Sequence, residues 1–206
     1  MTPVTEKITP KLIAELRART DAGMMDCKKA LEEAGGDLDL ATEILRKKNI
    51  TKADKRADRK AAQGVVESYI HFNGRVGVLV ELNCETDFVA RTDDFKALAK
   101  ELTLHIASAA PLAVRIEDVP AEIVAQERRI YEAQVAEEKK PDEVKKKIVE
   151  GRLKKFFEER VLLEQKFVKD DSKTVGELVK QVAATTGENV QVRRFARFEL
   201  GGGGGA

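Results

Sequence analysis

The chain has 206 residues, with 37 Lys and Arg against 36 Asp and Glu, for a formal net charge of +1. An apolar share of 42% excludes a disordered chain, and a charged share of 35% points to broad solvated helical faces. Balanced charge excludes a protein that coats nucleic acid over its whole surface, no apolar run approaches the roughly 20 residues that cross a bilayer, and two cysteines cannot build a disulfide framework or a zinc cage.

The N-terminal MTPVTEKITP has neither the apolar stretch of a signal peptide nor the Arg/Ser-rich character of a transit peptide, so a soluble cytoplasmic protein is expected. Thr9 can cap a first helix with Pro10 in its first turn, and Leu12, Ile13 and Leu16 share one face. Gly23 ends it. Asp26 to Glu33 reads as a second helix, closed by Gly35 and Gly36, and Asp37 caps a third carrying Leu38, Ala41, Ile44 and Leu45. Residues 1–50 thus form a small helical unit. Residues 46–62 then hold eight Lys and Arg against two Asp, a net +6, the strongest local charge bias in the chain. A solvated linker helix is the ordinary reading of such a run; contact with RNA or an acidic surface is the sharper one.

The period then changes. Val65–Phe72 and Arg75–Asn83 are β-branched and apolar, and Asn73-Gly74 between them is a hairpin signal, because both residues tolerate positive φ. Helices follow over Asp94–Ala109, Pro120–Lys139 and Asp142 to about Glu164. The last two, broken by Lys140-Pro141-Asp142, make an antiparallel hairpin about 30 Å long with heavily charged outer faces, which predicts that it protrudes. A further helix spans Thr174–Thr186 and ends at Gly187. Asn189–Leu200 alternates, with a slip near Arg193-Arg194, and closes a small antiparallel sheet with the hairpin. The tail GGGGGA has no core-forming side chain.

The catalytic inventory is thin. The sequence contains no GxxxxGK[ST], no GxGxxG after a strand, no HExxH and no CxxC. His71 and His105 lack companion groups and read as structural histidines; Cys27 and Cys84 read as small buried hydrophobes. No cofactor, metal ligand set or directly bound nucleotide is expected, and the chain reads as a binding protein rather than an enzyme. Two places stand out. Phe88 follows the capping pair Thr86-Asp87 at a strand-to-helix corner; it is either a core residue beneath the sheet or an exposed wedge for a partner, and the residues alone do not choose. Met24 and Met25, read as a loop after Gly23, are either core filler or a pliable contact surface.

The stretch Arg17-Ala18-Arg19-Thr20-Asp21-Ala22-Gly23-Met24-Met25-Asp26-Cys27-Lys28-Lys29-Ala30-Leu31 resembles the N-terminal signature of the elongation factor Ts family, the nucleotide-exchange factors of elongation factor Tu. Glu81-Leu82-Asn83-Cys84-Glu85-Thr86-Asp87-Phe88-Val89-Ala90 is similar to its second signature, with the TDFV core intact. Glu150–Phe156 and Gly187-Glu188-Asn189-Val190 are similar as well, and the likeness covers nearly all of residues 9–200. The resemblance implies an α+β fold: a three-helix ubiquitin-associated-like module (1–50), a basic linker (51–62), and a core (63–200) with a three-stranded antiparallel sheet and a protruding helical hairpin (about 118–164). It implies that the Thr86–Val89 segment meets the GTPase domain of elongation factor Tu, with Asp87 and Phe88 wedging in, and that Arg17, Met24 and Met25 touch the same partner. Longer relatives carry two sheet-bearing subdomains where this chain has strands for one. That difference predicts a homodimer paired through the sheet or the C-terminal strand. The competing readings are an RNA- or ribosome-binding protein acting through 46–62, a peptide-binding adaptor using the first 50 residues, and a small-molecule enzyme.

Overall fold

The computed structural model describes residues 8–20, 22–54 and 56–202, with side chains left out for residues 49–54. The first element, α1 (Pro10–Thr20), starts as its sequence dictates: Leu12 N donates to Thr9 Oγ1 at 3.2 Å. α2 (Met24–Glu33) begins directly after Gly23, two residues earlier than the sequence suggests. Met24 and Met25 therefore stand in its first helical turn and not in a loop. Gly35 and Gly36, at φ 62° and 95°, turn the chain, and Asp37 Oδ1 accepts from Asp39 N and Leu40 N to open α3 (Leu38–Asp54). α3 runs on past residue 50 into the basic segment, whose Lys, Arg and Ala are good helix formers. Leu16, Cys27, Ala30, Leu31, Ala41 and Leu45 form the buried centre of this three-helix unit.

β1 (Gln63–Ile70) and β2 (Val76–Cys84) pair antiparallel. The Asn73-Gly74 turn between them has Gly74 at φ 67° and Asn73 Oδ1 accepting from Arg75 N at 3.0 Å. A four-residue helix, α4 (Asp87–Ala90), and the longer α5 (Asp93–Ala109) follow β2. After a 3₁₀ turn at Ile116–Asp118, α6 (Ala121–Ala136) and α7 (Asp142–Arg160) form the expected hairpin, packed on itself through Val135, Val149 and Leu153. Next comes a ladder that sequence reasoning missed: β3 (Lys166–Phe167) and β4 (Asp170–Thr174). Two and five residues, mostly polar, carry no period. α8 (Val175–Thr186) opens with a capping box between Thr174 and Glu177 and closes on Gly187 at φ 75°.

β5 (Gln191–Glu199) completes the sheet in the order β1-β2-β5. Glu81 pairs with Arg194 and Leu82 with Val192, so Arg193 is an extra residue. The slip expected near Arg193-Arg194 is this β-bulge. The inner face (Val78, Val80, Leu82, Val192) packs on Phe95, Leu98, Leu102 and Ile106 of α5. The three-helix unit attaches to the core along α3 and α8, where Arg46 pairs with Glu177 at 2.7 Å. Of the tail, residues 203–206 lie outside the described residues, as do Lys55 of the basic segment and Asp21 of the first signature.

Candidate partner-binding site

The corner after β2 is built by a cap. Thr86 is the N-cap of α4: its φ is −125°, and Val89 N donates to its hydroxyl at 3.4 Å. Phe88 stands in the first turn and is 77% exposed. That settles the choice left open by the residues: Phe88 is not beneath the sheet. Val89, the next residue, takes the buried position instead, in the cluster with Val80, Leu82 and Phe95. One helical step thus anchors the corner and points its aromatic at solvent. Asp87 pairs with Arg91 at 2.8 Å in an i, i+4 arrangement with both side chains open to water, a pair easily exchanged for a partner's charge. Thr92 caps α5 directly behind, with Phe95 N donating to its hydroxyl.

The corner is braced from a distance. The Glu188 carboxylate, between α8 and β5, accepts from Glu85 N and Thr86 N at 3.0 Å each and from Thr86 Oγ1 at 2.6 Å. Asn189 N donates to Glu85 Oε1 at 2.7 Å. Cys84 sits below, its thiol donating to Thr86 O at 3.1 Å, and burial pushes its pKa up to about 11. Sequence reasoning did not assign a role to Glu188. Its one signal, an acid between a helix-ending Gly and a strand, does not name a partner a hundred residues away.

The second cluster lies on the three-helix unit. Pro10, Ile13, Ala14, Arg17, Ala18 and Met24 line a shallow groove between α1 and the start of α2. Met24 and Met25 are 60% and 64% exposed, so neither is core filler. Cys27 lies beneath, its thiol facing Ala22 O at 3.5 Å. Thus Thr86 to Val89 form one corner, packed on β1, β2 and α5, while Arg17 and Met24 share a groove on other elements.

A third exposed surface is the outer face of the sheet. Val66 and Ile70 of β1, Leu79 of β2, and Phe198 of β5 all face solvent, with Phe72 and Leu200 at the rim. Ile70 and Phe198 flank Gly77, and Leu79 pairs with Ala196, so the apolar side chains are contiguous across the strands. The Glu81–Arg194 pair at 2.7 Å borders them.

Both histidines are held by internal hydrogen bonds. His105 is fully buried, with Nε2 on Gln165 Oε1 at 2.9 Å and Nδ1 accepting from Val168 N at 3.3 Å, which fixes the neutral ring. His71 Nδ1 meets the Tyr69 hydroxyl at 2.8 Å. In the basic segment, Arg46, Lys48 and Arg59 pair with Glu177, Glu33 and Glu85, so part of that charge meets acidic side chains of the same chain; Lys55 and the side chain of Lys52 lie outside the described residues. Among the described residues no group of three His, Cys, Asp or Glu side chains is placed to hold a metal ion, and no helix is long and apolar enough to cross a membrane.

Large apolar side chains held out into solvent on braced backbone are the mark of a protein that docks on another macromolecule. A sequence profile of the family described as Elongation factor TS matches residues 41–202. The chain is 57% identical over 196 residues to "Elongation factor Ts" of Carboxydothermus hydrogenoformans, covering 95% of this chain and 90% of that one. It is 52% identical over 194 residues to the protein of the same name from Thermosipho melanesiensis (94% and 99%), and 53% over 197 residues to that of Thermotoga maritima (96% and 98%). The chain belongs to the elongation factor Ts family, and so to the translation elongation factors.

Proposed function

We propose that the chain is a guanine nucleotide-exchange factor that binds elongation factor Tu, in its GDP-bound and nucleotide-free forms, and promotes GDP release so that GTP can rebind. The observation that carries this reading is the exposure of Phe88 on a corner fixed by Thr86, Val89 and Glu188. A fixed aromatic enters a partner without a large ordering cost. Asp87 and Phe88 wedge into the GTPase domain and disturb the Mg²⁺ and phosphate contacts that retain the nucleotide. Arg17, Met24 and Met25 supply a second contact on the same partner, where thioether side chains adapt to its shape.

The energetics are those of linkage. A partner that binds the open, nucleotide-free state better than the closed one weakens nucleotide affinity by the factor that nucleotide weakens its own binding. Each tenfold of weakening needs about 1.4 kcal/mol of coupling. A buried aromatic hot spot supplies about 2–4 kcal/mol, the right scale for the task. No covalent step is required.

The same reading includes a homodimer. The outer sheet face supports it, because Val66, Ile70, Leu79 and Phe198 would leave water against a second copy. Light scattering at micromolar concentration is expected to give twice the chain mass; a monomeric mass removes the dimer from the proposal. The exchange function is tested by adding substoichiometric chain to elongation factor Tu loaded with fluorescent GDP and excess unlabelled nucleotide. Catalytic release is expected, and no acceleration at any ratio would overturn it.

A further inference from the structure

The turn that presents Phe88 is fastened to the α8–β5 connection by two carboxylates facing opposite ways. Glu188 accepts from Glu85 N, Thr86 N and Thr86 Oγ1, while Glu85 Oε1 accepts from Asn189 N. Beyond the last paired residues, Asn83 and Gln191, side-chain oxygens take the place of the carbonyls of the β2–β5 ladder. We propose that Glu188 is a positioning residue for nucleotide exchange, acting through Thr86 to hold Phe88 in its docking pose; this rests on the exchange-factor reading above.

The chemistry follows from the Thr86 hydroxyl. Its proton goes to Glu188 Oε1 at 2.6 Å, which turns an oxygen lone pair toward Val89 N and makes the N-cap of α4. A four-residue helix has no stability of its own, so the direction of Phe88 depends on that cap together with the buried Val89. The clamp is tied in turn to the linker. Asn189 Nδ2 donates to Ala57 O at 3.0 Å and Arg59 O at 2.7 Å, and Arg59 Nη1 lies 3.5 Å from Glu85 Oε1. The end of the linker that carries the three-helix unit and the Phe88 corner therefore share one knot of hydrogen bonds. Without Glu188 the two amides and the hydroxyl lose their acceptor, and the corner must be reordered each time it docks. The α1–α2 groove is untouched, so encounter with the partner survives while the step that expels nucleotide slows.

The test is steady-state exchange on elongation factor Tu with fluorescent GDP, using the full chain, Glu188→Ala, Glu188→Gln, Phe88→Ala and the Glu188→Ala/Phe88→Ala pair. Glu188→Ala is expected to lower kcat about tenfold with KM within about threefold, the signature of an interaction expressed after binding. Glu188→Gln keeps an oxygen for the two backbone amides but turns an NH2 toward the Thr86 hydroxyl, so kcat is expected to fall by no more than about threefold, and a loss as large as that of Glu188→Ala would count against the amide half of the clamp. The double variant is expected to be no slower than Phe88→Ala alone, because Glu188 acts through Phe88. A wild-type kcat in Glu188→Ala, or multiplied losses in the double variant, overturns the proposal. Phe88→Ala with wild-type exchange is a failure of the docking reading instead; the clamp is then read by amide hydrogen exchange. Fast exchange at Glu85 and Thr86 in Glu188→Ala, with Val80 and Leu82 still slow, supports the clamp, and unchanged protection overturns it. If Glu188→Ala fails to fold, Thr86→Val removes only the hydroxyl bonds: a kcat loss of about threefold is expected, and none overturns the proposal.

Discussion

Replacing Phe88 with Ala separates function from fold. The side chain of a phenylalanine offers about 200 Å² of surface. With the residue 77% exposed, docking can remove about 150 Å² from water, worth about 4 kcal/mol at about 25 cal/mol per Å². Side-chain ordering and the surviving Cβ reduce this, which leaves the about 2–4 kcal/mol of a hot spot and a loss in kcat/KM of about 30- to 700-fold. The fold should not notice: Phe88 buries little against its own chain, so Tm is expected to move by less than about 2 °C. Phe95→Ala is the opposite control, since Phe95 is fully buried under β2 and its truncation should cost about 3–5 kcal/mol of stability. Release of fluorescent GDP from elongation factor Tu, read beside a thermal melt of each variant, checks both halves. A Phe88→Ala protein that melts like the parent and exchanges like the parent would refute the wedge.

Met24→Ala with Met25→Ala is expected to raise KM for GDP-loaded elongation factor Tu about three- to tenfold with kcat little changed; a fall in kcat alone would contradict a docking role. His105 gives a pH dependence. Burial lowers its pKa below 6.5, so the folded state holds fewer protons than the unfolded one. Its stabilising contribution is full above the unfolded pKa and is lost as pH falls below it. The guanidinium midpoint should fall between about pH 7 and about pH 5, and by less in His105→Gln; equal falls in both proteins would exclude His105 as a source. Gly64→Ala is expected to cost about 2–4 kcal/mol by chemical denaturation, since Gly64 has φ 150° and a Cβ there would lie 2.1 Å from Leu82 O. A loss under about 0.5 kcal/mol would show that β1 yields at this point.

Much of the architecture was written in local chemistry. Asn73-Gly74 located the hairpin, Thr174 and Gly187 bounded α8, and the broken alternation at Arg193-Arg194 located the bulge. The misses share a cause. Met24 and Met25 became helical because Gly23 serves as N-cap without a side chain to announce it. β3 and β4 escaped because DDSKT has no apolar period, and the ladder is set by β4 lying beside α8 and by the turn between the strands, which bonds to His105 and Glu101 of α5. The site divided in the same way. The TDFV segment was legible as a corner, but the exposure of Phe88 and burial of Val89 follow from how α4 sits on the core. The hold of Glu188 on Thr86 joins residues far apart in sequence and leaves no local trace.

Arg193 carries a consequence larger than its own side chain. A strand alternates with period two, so one added residue reverses the parity of everything after it. Val192 points to the core, and with strict alternation Arg194, Ala196 and Phe198 would follow it inward. The bulge hands those inward places to Phe195 and Arg197, whose guanidinium reaches Ala107 O at 3.3 Å. Arg194, Ala196 and Phe198 are turned outward instead. The chemistry of the outer surface is thus a matter of counting: pairing this strand without the bulge while keeping Arg193 would exchange the two faces of its second half, whereas deleting Arg193 would leave a strictly alternating strand with Phe195 and Arg197 still inward and Phe198 still outward.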